Sequence, residues 1–427
     1  MKVYVKTYGC TLNQADSDII KTLLKDNNIS VSDDEMDSDA VIVNTCTVKT
    51  ATEQKIINKL EKLQKNGKKI IVTGCMASAN PDLIYKYIPA ASIVTAPNIS
   101  NLPTALENVA EGKRVLYDRY SAVDRMAYFK PGSSIISRIP INDGCLSNCS
   151  FCETKRARGP LNSFSSDLII KAISYSLQKG AKEIELTSQD VGAYGADKKS
   201  SIAELLSKIK ELNIDKDYYI RIGMLNPEHA LKHIEAFIEA LNDTHFYKFI
   251  HLPVQSGSDP VLKAMNRDYN ISQFYEVVDR LRANVKNLML ETDIIVGYPT
   301  ENEKDFEDTL DMIKEVKPGV SNLSKFAKRP HARASKLKQL PEEEIKRRSV
   351  EATRLIRSVQ NSINKKFIGT LQDVMLTERT GISVNGRNSS YKQVIITGDG
   401  SGLALGNMYN VKIYKSTSNA LYGKVLN

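Results

Sequence analysis

The pattern of hydrophobic and polar residues near the start of the chain predicts strands separated by helices. Residues 2–8 alternate like a strand, and residues 13–25 follow a helical period. The unit then repeats, with a helix at 50–64 and further strands at 40–45, 69–74 and 92–95. Strands about 30 residues apart with helices between them predict a parallel, doubly wound α/β sheet.

From residue 135 onwards, strand and helix patterns alternate about six times. The predicted strands are 135–141, 183–189, 219–224, 249–254, 288–296 and 320–326. Six βα units are too few for a closed eight-stranded barrel, so we predict an open (βα)6 partial barrel.

The two faces of these central strands differ in polarity, because alternate residues of a strand point to opposite sides. One face is apolar, as expected under covering helices. The other face carries polar residues where a packed barrel would be apolar: Glu185, Thr187, Gln189, Arg221, His251, Gln255, Glu291 and Asp293. Buried polar groups need partners, so the pattern predicts a polar ligand inside the barrel.

The last hundred residues predict a helix followed by a small antiparallel β-barrel. The helix begins at Pro341 and has one apolar face. From Phe367 the pattern changes to short strands, with turns predicted at Asn385-Gly386 and Gly398-Asp399-Gly400. Residues 97–134 are small and polar and predict a linker. We therefore expect three domains, at 1–110, 131–362 and 364–427.

Composition and charge predict the compartment and a class of partner. The 427 residues include no apolar run of the ~18 needed for a membrane span, and the first residues lead straight into a strand, so we expect a cytosolic protein without a membrane partner. The net charge is +9, and the segment between Lys325 and Lys366 accounts for it, with 13 Lys or Arg against 4 Glu. This segment is either a solvated helix face or a surface that binds a phosphate backbone, for which a folded RNA is the expected partner.

Three of the six cysteines, Cys145, Cys149 and Cys152, lie within eight residues. Thiolates in such spacing favour zinc or an iron-sulfur cluster. A structural zinc site needs four ligands, yet no Cys or His follows until His229. A four-iron cluster held by three cysteines would leave one iron open for catalysis. The alternatives are a partial zinc knuckle or unrelated buried thiols.

The other three cysteines, Cys10, Cys46 and Cys75, each follow a predicted strand of the N-terminal sheet. Ligands of doubly wound sheets bind beyond the carboxyl ends of the strands, so these thiols should meet at one edge. We predict a second three-cysteine site with a second cluster. The alternative is three ordinary buried cysteines.

The cysteine motif Cys145-Leu146-Ser147-Asn148-Cys149-Ser150-Phe151-Cys152 resembles that of the radical S-adenosylmethionine (SAM) superfamily. The resemblance implies a [4Fe-4S] cluster whose open iron binds SAM and whose electron cleaves SAM to a 5′-deoxyadenosyl radical. Further segments resemble methylthiotransferases: Tyr8-Gly9-Cys10-Thr11-Leu12-Asn13, Asn44-Thr45-Cys46-Thr47-Val48, Thr73-Gly74-Cys75-Met76, His251-Leu252-Pro253-Val254-Gln255 and Thr292-Asp293-Ile294-Ile295-Val296-Gly297-Tyr298-Pro299. In that family the N-terminal cysteines hold an auxiliary [4Fe-4S] cluster, and the C-terminal barrel is a TRAM domain that binds RNA.

For SAM itself, the polar barrel face and these segments indicate the residues Arg221, Gln255, Glu291, Asp293 and Gly297. Each has an alternative role. Arg221 could form a salt bridge with Glu291 or Asp293, Gln255 could cap a helix, and Gly297 could be a turn residue. His251 is expected to be a satisfied interior histidine.

The segment Glu153-Thr154-Lys155-Arg156-Ala157-Arg158-Gly159 resembles the archaeal and eukaryotic tRNA branch of the family. That resemblance implies methylthiolation at C2 of N6-threonylcarbamoyladenosine (t6A) at position 37 of tRNA. We expect Lys155, Arg156 and Arg158 to contact the threonyl carboxylate or nearby phosphates. The segment Arg329-Pro330-His331-Ala332 departs from the family, which commonly has a Gly-Thr pair after the proline.

Two other functions fit part of the pattern. A methylthiotransferase acting on a ribosomal protein aspartate would share both cysteine sets, and an RNA-binding protein without enzymatic activity could hold zinc in them. The enzymatic interpretation also requires an electron donor and a sulfur source, which the sequence does not identify.

Overall fold

The chain forms a parallel sheet, an open barrel and a small closed barrel, in that order. The computed structural model describes residues 1–48, 50–130, 132–212, 214, 217–381, 383–398 and 400–426. The predicted turn at Asp399 lies outside these residues.

The N-terminal part is a six-stranded parallel sheet with helices on both faces. Its elements are β1 (Lys2–Thr7), α1 (Thr11–Asp26), β2 (Ser30–Ser32), β3 (Ala40–Thr45), α2 (Thr50–Lys65), β4 (Lys69–Thr73), α3 (Gly74–Ala79), α4 (Pro81–Tyr87), β5 (Ser92–Val94), α5 (Leu102–Ala110) and β6 (Leu116–Tyr117). The strand order is β2-β1-β3-β4-β5-β6. Neighbouring residues of β3 show the alternation, since Ile42 packs with α1 and α5 while Val41 and Val43 pack with α2. The doubly wound sheet is confirmed.

The expectation of a linker at residues 97–134 is wrong for much of that range. Helix α5 packs on the sheet with five buried residues, and β6 extends the sheet by pairing with β5. Arg125, which begins a short 3-10 turn, is 2% exposed. The prediction failed because the average composition of residues 97–134 is small and polar, although the nine-residue helix α5 within it has an apolar face.

The central part is an open barrel of six parallel strands. Its elements are β7 (Ile136–Pro140), β8 (Asn142–Asp143), α6 (Thr154–Arg158), β9 (Asn162–Ser163), α7 (Ser166–Gln178), β10 (Glu183–Thr187), α8 (Ile202–Lys210), β11 (Tyr219–Ile222), α9 (Pro227–Lys232), α10 (Ile234–Asn242), β12 (Phe249–His251), α11 (Asp259–Ala264), α12 (Ile271–Asn284), β13 (Met289–Val296), α13 (Glu303–Val316) and β14 (Val320–Lys325). Hydrogen bonds divide the barrel strands into β7-β10-β11 and β12-β13-β14, and a bridge from Ile220 to Phe246 lies where the halves meet. The predicted (βα)6 architecture is confirmed.

The C-terminal part begins with the long helix α14 (Glu342–Lys365) and continues as a closed five-stranded barrel. The strands are β15 (Leu371–Thr380), β16 (Ser383–Asn388), β17 (Gln393–Ile396), β18 (Met408–Ser416) and β19 (Leu421–Val425). They close in the order β15-β16-β17-β19-β18, with β17 and β19 parallel and the other pairs antiparallel.

The turn predicted at Asn385-Gly386 is wrong, because both residues lie inside β16. Gly386 has a packing role there. A Cβ at this position would overlap the carbonyl oxygen of Met375 on the neighbouring strand, so the glycine allows close approach of the backbones.

A turn between β16 and β17 joins the small barrel to the central one. The carbonyl oxygen of Ser389 accepts from the backbone N–H of Lys248 at 2.8 Å. The Ser390 hydroxyl donates to the Asn287 carbonyl at 2.9 Å, and the Lys392 ammonium donates to the Gly319 carbonyl at 2.8 Å. These three partners immediately precede β12, β13 and β14. The turn therefore covers the N-terminal end of the barrel.

Part of the basic segment 325–366 is internal to the fold. Arg329 and Arg348 are 6% and 4% exposed and form ion pairs with Glu53 and Glu301. Because these two side chains are buried, they cannot bind an RNA backbone. Fewer of the 13 basic residues of this segment are therefore available at the surface than the sequence suggested. No helix among the described residues is long and apolar enough to cross a membrane.

We predict that Arg348→Met destabilises the protein, because it leaves the buried Glu301 carboxylate without its cationic partner. Loss of one member of a buried pair costs about 3 kcal/mol, so the thermal unfolding midpoint should fall. Arg347→Met is the matched control, since Arg347 pairs with three carboxylates at the exposed surface. Thermal unfolding is measured by circular dichroism. Equal midpoints for the two variants would contradict the prediction.

Candidate active site

Cys10, Cys46 and Cys75 lie together at one edge of the N-terminal sheet. They follow β1, β3 and β4, whose carboxyl ends share that edge. A Cβ at Gly9 would lie 2.9 Å from the Cβ of Cys46, and the chain passes this point because Gly9 has a φ of 112°. Burial, with smaller contributions from nearby Cys10 and Cys46, raises the pKa of Cys75 to about 12, although the Arg158 guanidinium acts in the opposite direction. The predicted convergence of the three thiols is present.

The second cysteine set occupies the loop between β8 and α6. Gly144, with a φ of 71°, lets the loop turn against the Gly159-Pro160 backbone, where a Cβ would overlap the Pro160 carbonyl oxygen. A cavity of about 520 Å³ is lined by Cys145, Cys149 and Cys152 together with Ser147, Asn148, Thr154, Lys155, Asn266, His331, Ala332 and Arg333. Burial and the nearby Asp190 carboxylate raise the pKa of Cys145 to about 12.

Two arginines donate hydrogen bonds to cysteine sulfurs. The Arg267 guanidinium donates to Sγ of Cys149 at 3.1 Å, and the Arg158 guanidinium donates to Sγ of Cys75 at 3.3 Å. A cationic donor favours the thiolate form, which is the form that ligates metals. Each cysteine set thus has one cation beside a sulfur.

The second of these cations, Arg158, is the centre of a buried ion cluster. Its side chain is 0% exposed and contacts the Asp16 carboxylate at 2.6 Å and the Asp143 carboxylate at 3.5 Å. Arg125 pairs with the same two carboxylates. Asn13 accepts from Arg158 at 2.5 Å. The cluster joins α1, the residue before Gly144 and the helix after Cys152.

These contacts correct the hypothesis that Arg158 contacts the substrate. Its guanidinium is buried and already bonded to Asp16, Asn13 and Cys75. Lys155 and Arg156 remain exposed. Lys155 donates to the Leu146 carbonyl at 3.2 Å and to Asn148 at 3.0 Å, and Arg156 donates to the Ala79 carbonyl at 2.8 Å.

Sequence reasoning missed the roles of Asp16, Arg125 and Arg267. Asn13, Asp16 and Ser17 are polar residues on the buried face of α1. That interruption of an apolar helix face was a usable signal for buried partners. Arg125 gave no comparable signal, because its partner Asp16 is 109 residues away. Arg267 lies in Met265-Asn266-Arg267, which resembles a methylthiotransferase segment, but nothing in the sequence linked it to Cys149.

The segment that departs from the family joins the two cysteine regions. The Arg329 guanidinium donates to Glu53 and to the Val48 carbonyl, both at 2.5 Å and both near Cys46. The His331 N–H donates to one oxygen of Glu153 at 2.9 Å, and the Asn80 amide donates to the other at 3.2 Å. This segment is therefore held by hydrogen bonds between the N-terminal sheet and the loop that carries Cys145, Cys149 and Cys152, which is called the cluster loop below.

The residues expected to bind SAM divide between two regions. The ligating atoms of His251, Glu291 and Asp293 lie within 4.8 Å of one another inside the barrel. His251 Nε2 lies 3.1 Å from Asp293 Oδ1, and the Asn322 amide donates to both carboxylates. Arg221 instead lines a second cavity with Arg138, Glu185 and other residues.

Gln255 and Gly297 have clear backbone roles. Gln255 has a φ of 70° and exchanges backbone hydrogen bonds with β13, through Asp293 and Ile295. Gly297 has a φ of 77°, and its N–H donates to Glu301 at 2.9 Å. A Cβ there would meet Ile345 of α14 at 2.7 Å. The turn expected as the alternative role of Gly297 is present.

Comparison with known families matches two parts of the chain. Residues 2–96 match the "Uncharacterized protein family UPF0004", and residues 139–313 match the "Radical SAM superfamily".

Curated relatives match over the whole chain. The "Probable threonylcarbamoyladenosine tRNA methylthiotransferase" of Archaeoglobus fulgidus is 36% identical and covers 100% of this chain and 99% of its own. The human "Threonylcarbamoyladenosine tRNA methylthiotransferase" is 33% identical and covers 99% of this chain and 74% of its own. The chain belongs to the threonylcarbamoyladenosine tRNA methylthiotransferase family. It is therefore a radical SAM transferase.

Solved structures with similar folds extend beyond this family. The cobalamin-bound radical SAM methyltransferase TsrM from Kitasatospora setae aligns with a TM-score of 0.57 at 13% identity, over 87% of this chain and 80% of its own. The cobalamin-dependent radical SAM enzyme OxsB aligns with a TM-score of 0.56 at 12% identity, over 84% of this chain and 56% of its own. At these identities the similarity concerns the fold.

Membership of the methylthiotransferase family implies SAM and one [4Fe-4S] cluster, and the Cys145 loop fits them. Three thiols line one cavity, and Arg267 places positive charge against a sulfur, which favours the thiolate ligands of a cluster.

We predict that Arg158→Met exposes Cys75 in the metal-free enzyme. Arg158 seals the contact between α3 and α6, so its loss should give the reagent access to Cys75, which is 9% exposed. Loss of the cation also disfavours the reactive thiolate, but we expect the gain in access to dominate and alkylation to become faster. Lys155→Met on the same helix is the control, because Lys155 lies at the surface and bonds to Leu146 and Asn148 instead of α3. Peptide mass spectrometry after timed maleimide treatment measures the rate. Unchanged labelling in the first variant would refute the sealing role.

Proposed function

We propose that this enzyme methylthiolates C2 of t6A at position 37 of tRNA, giving 2-methylthio-t6A. The observation that carries the proposal is the direct connection between the two cysteine sets through Arg158, which bonds Cys75 and pairs with Asp143 two residues before Cys145. Its relatives bear the name of this activity. An aromatic C2–H has no acidic proton and no leaving group, so its replacement by sulfur requires the radical chemistry that a SAM-bound cluster supplies.

A second [4Fe-4S] cluster on Cys10, Cys46 and Cys75 is part of the proposal. The chemistry of the site supports it, because three convergent thiols leave one iron of such a cluster open and Arg158 offers a positive charge to a sulfur. The open iron would present the sulfur for transfer. The sulfur source and the electron donor are partners that the reaction requires.

For SAM, we assign the barrel residues on the side of β12 and β13, namely Gln255, Glu291, Asp293 and Gly297. Their carboxylates and backbone groups offer acceptors for the ribose hydroxyls and the amino group of SAM. The Cys145, Cys149 and Cys152 cluster would hold its methionine end.

For tRNA, we assign two surfaces. The C-terminal barrel is the TRAM-like RNA-binding domain, and the exposed Lys155 and Arg156 would contact phosphates near the cluster loop. We also propose a cytoplasmic location, as expected for an enzyme that modifies tRNA.

The proposal predicts iron content and product together. After anaerobic reconstitution, the enzyme should bind about eight irons per chain, and the triple variant Cys10→Ala, Cys46→Ala, Cys75→Ala about four. Incubation with t6A-bearing tRNA, SAM, sulfide and dithionite should yield 2-methylthio-t6A, detected by nucleoside mass spectrometry. The triple variant should cleave SAM but yield no product.

Other results would change the assignment. If the iron-loaded enzyme leaves t6A unchanged but modifies an aspartate of a ribosomal protein, the substrate is that protein and not tRNA. Zinc without iron in anaerobically purified protein would reject the enzymatic function.

We also predict that the double variant Lys155→Ala, Arg156→Ala binds tRNA more weakly, and to a similar extent for tRNAs of different nucleotide sequence. Each lost phosphate contact should reduce the slope of log affinity against log salt by about 1. Arg347→Ala is the control, since its charge is paired with three glutamates. Fluorescence anisotropy at several salt concentrations measures the slopes, and identical slopes for all three proteins would exclude the contact.

A further inference from the structure

A large cavity lies where the three parts of the chain meet. Its volume is about 690 Å³, within the roughly 300–1,000 Å³ of small-molecule sites. Thr11 and Gln14 of α1 form one side, and both lie within a helical turn of Cys10. The inner face of the barrel and the C-terminal barrel form the rest, with Ser134, Ile135, Ile136, Arg138, Glu185, Arg221, Thr377, Glu378, Arg379, Arg387, Tyr391 and Leu405.

Four arginines and two glutamates line this cavity, so its charge favours an anion. Two of these arginines are hydrogen-bonded to the residues around them. Arg379 donates to the carbonyls of Gly400 and Leu403, and Arg387 donates to Glu183 and Thr377. These guanidiniums form the wall of the cavity.

The other two arginines flank one glutamate on adjacent strands. Arg138 of β7 and Arg221 of β11 are both in register with Glu185 of β10. Glu185 is shared, since one oxygen lies 3.2 Å from Arg138 Nε and the other accepts from the Tyr391 hydroxyl at 2.7 Å. Arg138 also pairs with the Asp18 carboxylate at 3.8 Å. Among the described residues, Arg221 is therefore the guanidinium of this row whose positive charge has no carboxylate within 4 Å.

Arg221 holds that charge without a hydrogen-bond acceptor for its Nε. The guanidinium carbon lies 5.3 Å from the Phe249 ring and 5.2 Å from the Tyr391 ring. Its Nε is buried and has no hydrogen-bond partner in the part of the chain that the structure describes. A buried N–H without an acceptor is unfavourable, and a planar anion in the cavity would supply one.

We propose that Arg221, supported by Arg138, binds the threonyl carboxylate of t6A and so selects the modified base. This inference rests on the proposed function and names its specificity determinant. A carboxylate is planar and anionic and matches the donor geometry of a guanidinium. With the carboxylate at Arg221, the adenine end of the nucleoside points along the cavity toward Thr11 and Gln14, next to the auxiliary cysteines.

This assignment replaces the role expected for Arg158, which is buried and bonded elsewhere. It also removes Arg221 from the residues proposed for SAM, because Arg221 belongs to the β7-β10-β11 half of the barrel, whereas the proposed SAM residues belong to or follow β12 and β13. Tyr391 and Arg387 bring the C-terminal barrel into the same site.

The test compares binding of two anticodon stem-loops, with t6A or adenosine at position 37, to the full reconstituted enzyme. Wild-type enzyme should prefer the t6A stem-loop by about 10- to 100-fold, the range for one charge-assisted hydrogen bond. Arg221→Gln should bring the preference near unity while affinity for the adenosine stem-loop stays unchanged. Arg138→Gln should reduce the preference less. Arg379→Gln, in the same cavity but bonded to carbonyls, should keep it.

A substrate change provides a test that does not depend on folding of a variant. A stem-loop carrying the methyl ester of t6A removes the negative charge, and wild-type enzyme should bind it no better than the adenosine stem-loop. Undiminished preference in Arg221→Gln, or tight binding of the ester, would overturn the inference. If wild-type enzyme forms no 2-methylthio-t6A, the proposed function fails; if it forms the product while Arg221→Gln discriminates normally, only this inference fails.

Discussion

The active site depends on one buried ion cluster, in which Arg158 and Arg125 share the carboxylates of Asp16 and Asp143. A buried charge without its partner is strongly unfavourable, so the four side chains must stay together. They belong to α1, to the segment before the barrel, to the start of the cluster loop and to the helix after it. The cluster therefore sets the position of the N-terminal sheet on the barrel, and with it the position of Cys75 relative to Cys145.

The same packing builds a cavity that no single part of the chain contains. Helix α1 forms the wall near Cys10, and the barrel contributes a row of charged residues. The turn after β16 contributes Tyr391, whose hydroxyl donates to Glu185. Since this turn also bonds the segments before β12, β13 and β14, the C-terminal barrel is part of the site and not a separate appendage.

Local patterns in the sequence were sufficient for much of the architecture. Cys10, Cys46 and Cys75 could be predicted to meet because the carboxyl ends of parallel strands share an edge. The polar inner face of the barrel followed from the two-residue period of strands, and Arg221 and Glu185 do face one cavity. Predictions based on composition were weaker, as the helix in the expected linker and the strand at Asn385-Gly386 show.

The sequence by itself determined the two sets of three cysteines, the parallel strands that bring Cys10, Cys46 and Cys75 to one edge, and the family to which the chain belongs. Tertiary structure decided how the charged residues are used. Arg156 and Arg158 are two residues apart in one basic segment, yet one is exposed and the other is bonded to Asp16 and Cys75. The physical reason is that spacing within a segment follows from backbone geometry, whereas the burial and partners of a long charged side chain depend on segments that are distant in the sequence.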